Sequence, residues 1–265
     1  MLGTVTRAGR LLDLFTRDTP EWGPTAAARE LGIAKSQAHE LLTSLTAIGL
    51  LRRAPGGQFR LGWRTLALGR DALRVEFPDG VFRVMAGLAQ AFQEPVHLAA
   101  LERRRVTIIA RRAGSLGTDP LVPGEPDDRY LHASAIGKAL LADLPAADLA
   151  AVLPGGPMDR ALLVADLDQV RMRRLAFDDG GVLGDLRGVA APIRGGDGST
   201  IAALGLWTVE RRWASSHAEM SRAVAGAGRR IEALIREVPA YAGTNGVSMV
   251  AHAGSGSGPQ LLPTI

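Results

Sequence analysis

The stretch PTAAARELGIAKSQAHELLT at 24–43 constrains the fold more than any other part of the chain. Two helices that cross steeply need a small residue where they touch, a turn that admits positive φ, and apolar residues at the inward positions. Ala28 meets the first need, Gly32 four residues later the second, and Ala27, Leu31, Ile33, Ala38 and Leu41 the third. The spacing predicts a helix-turn-helix. In such a motif the second helix enters the major groove of DNA, so its outward residues near the N-terminus, Lys35, Ser36, Gln37, His39 and Glu40, are the candidate readers. Gln37 can both donate to and accept from an adenine edge, Glu40 can accept from cytosine N4, and Lys35 or Ser36 can hold a phosphate. Taken singly, each is either a contact to DNA or a solvated side chain.

The flanks of this motif extend the pattern. Val5, Ala8, Leu11, Leu12 and Phe15 recur at helical steps over 5–16, and proline, glycine and acidic residues then break the helix over 18–24. Thr25 is placed to cap the second helix. After the third helix, 50–54 and 58–61 flank Pro55-Gly56-Gly57, which predicts a β-hairpin. Three helices followed by a hairpin is the winged helix-turn-helix order. Arg52, Arg53 and Arg60 flank the hairpin tip and would meet the DNA backbone or minor groove as a wing.

Charge supports a nucleic-acid contact at this end. Of 31 basic residues only Lys35 and Lys138 are lysines; 1–75 carry 11 basic and 6 acidic residues, whereas the remaining 190 carry 20 and 21. A basic module joined to a longer, near-neutral one fits DNA at one end and a different task at the other. A chain of 265 residues suggests two domains. Its 46% hydrophobic content suffices for packed cores, yet no apolar run reaches the roughly 18 residues of a membrane span. The absence of cysteine removes disulfides, thiolate metal sites and cysteine nucleophiles. The N-terminus MLGTVTRAGR lacks the apolar core of a signal peptide, so a cytoplasmic location is expected.

A helix is predicted from about 63 to 75, with Leu66 and Leu73 seven apart, ending before Phe77-Pro78-Asp79-Gly80. It reads as an interdomain linker. Beyond it the pattern predicts a helix over 81–92, strands at 96–101 and 106–111, and a loop over 114–126. Helices follow at 134–143 and 161–175, then strands at 188–193 and 201–208 around Gly195-Gly196-Asp197-Gly198, and a last helix over 215–236. Mixed strands and helices indicate an α+β domain. The Gly, Ser and Pro content from 243 onward predicts a disordered tail. The expected domains are a winged helix-turn-helix at 1–62, a linker helix at 63–79, an effector-binding domain at 80–240 and a tail at 241–265.

Three stretches carry a resemblance to the IclR family of bacterial transcriptional regulators: LGIAKSQAHELLTSLTAIGLLRR at 31–53, LHASAIGKALLA at 131–142 and GVAAPIRGGDGSTIAALGLW at 188–207. The resemblance spans about 4–240. It implies a homodimer or homotetramer, binding to palindrome-like DNA operators, and a C-terminal domain of GAF-like fold that binds a small, often acidic or aromatic, metabolite. Carried over by position, it implies an effector cavity lined by Ala135 and Ile136, Asp178, Leu186 and Gly188, and Gly205 and Trp207. The chain departs from the family pattern at several of these. The family often has a polar or thiol residue at Gly188, small hydroxyl residues at Gly205 and Trp207, and an arginine at Glu40. An indole at 207 either lines the cavity and selects a flat or aromatic ligand, or plugs it.

An enzyme is the competing class. Gly137-Lys138 resembles a phosphate loop, but His132 stands where its first glycine belongs and Ala139 where its hydroxyl belongs. Ser134 and Lys138 are four apart, not the three of a Ser-x-x-Lys pair. His39, His97, His132, His217 and His252 show no paired metal spacing, so neither metal nor cofactor is expected. His132 either reaches a bound anion or packs as a structural residue. Arg103, Arg104 and Arg105 are expected in a solvated turn. The sequence reads as an effector-responsive DNA-binding regulator, expected to repress, with no catalytic residue and no membrane segment. The alternatives are an orphan regulator with a plugged cavity and a small-molecule enzyme.

Overall fold

The computed structural model describes residues 3–16, 18–102, 104–116, 128–153, 160–178 and 184–237. Among these, residues up to Asp79 form one compact unit and those from Gly80 a second. The proposed tail at 241–265 and most of the loop at 114–126 lie outside the described residues.

The first unit contains α1 (Gly3–Leu12), α2 (Pro24–Leu31), α3 (Lys35–Ala47), β1 (Leu51–Arg53), β2 (Phe59–Leu61) and α4 (Trp63–Glu76). Its core is Leu11, Phe15, Ala27, Ala28, Leu31, Ala38, Leu41, Leu42 and Leu45, closed by Leu51 and Phe59 of the hairpin; of the other positions the sequence marks as inward, Ala8, Leu12 and Ile33 are partly buried against it and Val5 is exposed. Gly32 ends α2 with φ of 66°, a left-handed conformation that a Cβ disfavours. The Ile33 amide then donates to the Ala28 carbonyl at 3.0 Å, which aims the chain into α3. Thr25 does not cap α2. Gly23 holds the N-cap position and Pro24 begins the helix, since proline has no N–H to leave unpaired there and its φ is already helical. On α4 no residue is buried; Trp63, Leu66, Leu68 and Val75 are all exposed.

The second unit contains α5 (Asp79–Phe92), β3 (Val96–Glu102), β4 (Arg105–Arg112), α6 (Asp128–Ala133), α7 (Ala135–Leu141), α8 (Ala146–Val152), α9 (Arg160–Arg173), β5 (Ala176–Asp178), β6 (Leu186–Arg194), β7 (Thr200–Val209) and α10 (Glu210–Arg236). The strands form one antiparallel sheet in the order β4-β3-β7-β6-β5. α7 covers one face: a Cβ at Gly205 would meet Ile136 Cγ1 at 2.6 Å. α10 covers the other, where a Cβ at Gly228 would meet the Ala191 Cβ at 3.0 Å. This is the α+β layering the sequence predicts. The helix expected from 134 begins at Ala135 with Ser134 as its cap, preceded by α6; α10 starts five residues before its predicted start.

Polar networks fasten the sheet to its helices. Asp143 receives Arg194 bidentately at 2.7 and 2.9 Å and Thr200 at 2.6 Å. Burial pushes the Asp143 carboxyl up, but the Arg194 and Thr200 hydrogen bonds and the positive fields of Arg194 and Arg171 outweigh it and hold it below the ordinary aspartate value. The buried Glu232 accepts from the Arg194 amide at 2.9 Å and pairs with Arg174. At the start of α10, Arg212 pairs with the fully buried Glu94 at 2.5 Å.

Candidate DNA-binding and ligand sites

On α3 the five candidate readers, Lys35, Ser36, Gln37, His39 and Glu40, are all exposed, while Ala38 among them is buried. The inward stripe of Ala38, Leu41, Leu42 and Leu45 fixes that orientation. Ala34 holds the N-cap position with no side-chain hydrogen bond, so the first-turn amides face outward uncapped, next to Lys35 and Ser36. That is a surface suited to phosphate.

The wing pairs Leu51 with Leu61, Arg52 with Arg60 and Arg53 with Phe59. Its tip carries Gly56 and Gly57, both at positive φ. Trp22 adds a bridge on the outer edge, exchanging both backbone hydrogen bonds with Phe59 at 2.9 Å, and its indole N–H donates to the Leu14 carbonyl at 2.8 Å. The hairpin is thereby tied to the helical body. The three wing arginines are not equivalent. Arg60 is ion-paired to Glu21, the neighbour of Trp22, so its charge is neutralised within the unit. Arg52 lies 4.9 Å above Trp63 and Arg53 lies 5.2 Å above Phe59, contacts that orient the guanidinium without pairing it to a carboxylate among the described residues. Sequence reasoning missed Glu21 and Trp22, whose partners lie almost forty residues away.

In the second unit the carried-over positions meet on the sheet face under α7. Asp178 lies opposite Gly188 and Gly188 opposite Trp207, so these three share one row across β5, β6 and β7 and point to one face. Gly205 lies two residues before Trp207 on the same face, opposite His97 of β3. Ala135 and Ile136 of α7 are fully buried, and Leu186 sits half-buried at the edge of the face. The Trp207 ring is fully buried. A Cβ at Gly188 would stand 2.7 Å from its Nε1, and one at Gly205 would stand 2.6 Å from its Cη2. Both ends of the indole therefore rest at the level of the sheet, in hollows that two glycines leave. His97 meets the ring edge-on at 5.1 Å between centroids. Sequence reasoning took His97 only as a histidine without a metal partner; its place two residues into the β3 register is the signal it missed.

The residues of the competing enzyme reading have structural employment. Ser134 Oγ accepts from the Gly137 amide at 3.0 Å as the cap of α7, and Lys138 Nζ donates to Asp166 at 2.6 Å. Among the described residues no cluster of three metal-ligating side chains occurs and no helix is long and apolar enough to cross a membrane.

Residues 4–55 match the family model of the IclR helix-turn-helix domain, and residues 80–233, more than half of the chain, match that of the bacterial transcriptional regulator IclR C-terminal domain. The chain belongs to the IclR family. IclR-family proteins are transcriptional regulators with a DNA-binding helix-turn-helix and an effector domain, and this chain carries both parts. It is 29% identical over 225 residues to the HTH-type transcriptional regulator XynR of Escherichia coli, covering 80% of this chain and 88% of that one. The fold is shared with solved IclR structures. One, from Alicyclobacillus acidocaldarius, superposes with a TM-score of 0.76 at 20% identity over 89% of this chain and 99% of the other. A second, an IclR homolog complexed with 4-hydroxybenzoate from Microbacterium hydrocarbonoxydans, gives 0.73 at 24% over 88% and 99%.

Proposed function

We propose that this IclR-family regulator is a repressor that binds a palindrome-like operator as a homodimer or homotetramer and is released when a small metabolite occupies the sheet face under α7. Residues 1–62 make the DNA contact, 63–79 form the linker and 80–240 sense the metabolite. The observation that carries the DNA reading is the outward, uncapped first turn of α3, with Lys35, Ser36, Gln37, His39 and Glu40 all exposed above a complete helix-turn-helix core. Arg52 and Arg53 serve as the wing's phosphate contacts, and Arg60 supports the hairpin through Glu21. The convergence of Ala135, Ile136, Asp178, Gly188, Gly205 and Trp207, with Leu186 at the rim, supports the effector reading. A related protein complexed with 4-hydroxybenzoate supports a small ring compound as the ligand. Control then follows from linkage, since a ligand that prefers one arrangement of the oligomer shifts the population able to span two half-sites.

The test is operator binding by the full-length protein, measured by fluorescence anisotropy on DNA flanking its own gene. Affinity should fall with salt at a log–log slope of about −0.9 per phosphate contact. Metabolites of the neighbouring genes' pathway, tested singly, should include one that weakens binding. DNA binding that no metabolite alters would replace this reading by an orphan regulator, and turnover of a metabolite without DNA binding would replace it by an enzyme.

A further inference from the structure

We propose that Trp207 and Asp178 together recognise one hydroxyl group of the effector, with the indole as the floor on which the ligand ring lies. The inference rests on the effector-controlled reading above and names the ligand chemistry that site would take. It starts from a buried donor. Trp207 is fully buried, and its Nε1 has no hydrogen-bond partner among the described residues. Folded proteins rarely leave such a group unsatisfied, so a missing acceptor at this position is informative.

The surroundings define what the acceptor must be. Nε1 lies over Gly188, where a Cβ would come within 2.7 Å, and Gly188 sits directly between Trp207 and Asp178 in the strand register. Since Gly188 has no side chain, β6 places nothing between the indole N–H and the strand carrying Asp178, about 4.8 Å further on. Asp178 is 1% exposed. A carboxylate or phosphate from the ligand would accept from Nε1 but would face the Asp178 charge in a poorly screened interior. An ammonium would suit Asp178 and give Nε1 nothing. A hydroxyl suits both groups, accepting from the indole N–H through its oxygen and donating its proton to a carboxylate oxygen, which can accept more than one hydrogen bond. The rest of the ring then lies against the indole, whose two ends sit over Gly188 and Gly205. Such a hydroxyl belongs either to a phenol or to a ring polyol.

Isothermal titration of the full-length protein separates these. The matched pair 4-hydroxybenzamide and benzamide differs by one phenolic hydroxyl, and myo-inositol supplies the aliphatic ring polyol. The expected result is binding of 4-hydroxybenzamide at least tenfold tighter than benzamide, or binding of myo-inositol. Trp207→Phe should cost the hydroxylated probe about tenfold and leave benzamide unchanged, and Asp178→Asn should lower the same preference severalfold. Thermal melts check that both variants fold. The proposal is overturned if the two benzamides bind equally and inositol is silent, if Trp207→Phe keeps the preference, or if no hydroxylated probe binds, in which case water alone fills the gap. Operator binding is measured on the same samples. Hydroxyl-selective binding that leaves operator affinity unchanged would remove effector control while leaving this recognition standing.

Discussion

Gly205 leaves room that two other side chains use. A Cβ there would lie 2.6 Å from both Ile136 Cγ1 and Trp207 Cη2, and one at Gly188 would lie 2.7 Å from Trp207 Nε1. Overpacking of this kind costs about 1–3 kcal/mol. Gly205→Ala and Gly188→Ala should each lower stability by that order in urea unfolding. Because the Gly188 clash is with the indole itself, the Gly188→Ala penalty should shrink in a Trp207→Leu background, a coupling that a double-mutant cycle reads directly. Equal penalties in both backgrounds would show that the strand, not the ring, resists the methyl group. On the DNA side, Glu40 is an exposed carboxylate on the helix proposed to meet phosphates, where it would be repelled unless a base donates to it. Glu40→Gln should change preference at one position of each half-site, scored by binding to a panel of single-base operator variants. A uniform tightening across the panel would reduce Glu40 to a repulsive charge.

At the scale of elements, what could be read in advance was what local chemistry dictates. The turn at Gly32 was legible because one residue must take positive φ there, and β6 and β7 because apolar runs flank a glycine-rich turn. The seven-residue α8 and three-residue β5 were not, being too short to show a period. The proposed ligand face could be reached only by resemblance, since the row Asp178, Gly188, Trp207 exists through strand register, and register is not local. The same holds for Asp143, whose partners Arg194 and Thr200 lie more than fifty residues away. Its folded carboxyl titrates below its unfolded value of about 3.9. The stabilisation it gives is therefore complete above that value and is lost as pH falls through the folded pKa. Asp143→Asn should destabilise the protein at pH 7, and the gap between variant and wild type should close as acid unfolding is followed from pH 5 to pH 2. A gap independent of pH would show that the carboxylate charge contributes nothing.

For the whole molecule, one recognition helix reads too few base pairs for useful specificity, so two copies should act on half-sites about 34 Å apart or a multiple of it. Exposed Trp63 and Leu66 on α4, in line with Leu73 seven residues beyond Leu66, form the apolar stripe a second copy would cover. Leu66→Glu should weaken self-association in sedimentation at micromolar concentration and, with it, binding to a full operator. Binding to an isolated half-site should hardly change. A wild-type monomer that footprints single half-sites would falsify the oligomeric reading.

The join between β7 and α10 has no loop. The strand ends at Val209, Val209 caps the helix, and α10 then continues through Arg236. At about 1.5 Å per residue this is a rod roughly 40 Å long, rooted three residues from Trp207. Its root is held on two sides, by Arg212 to Glu94 in the connection before β3 and by Glu210 to Arg187 of β6, each at 2.5 Å. With no slack segment at its root, and with its far half seated on the sheet through Gly228 against Ala191 and Glu232 against the Arg194 amide, α10 can shift only together with the strands beneath it, so whatever moves Trp207 moves the helix and sheet as one layer.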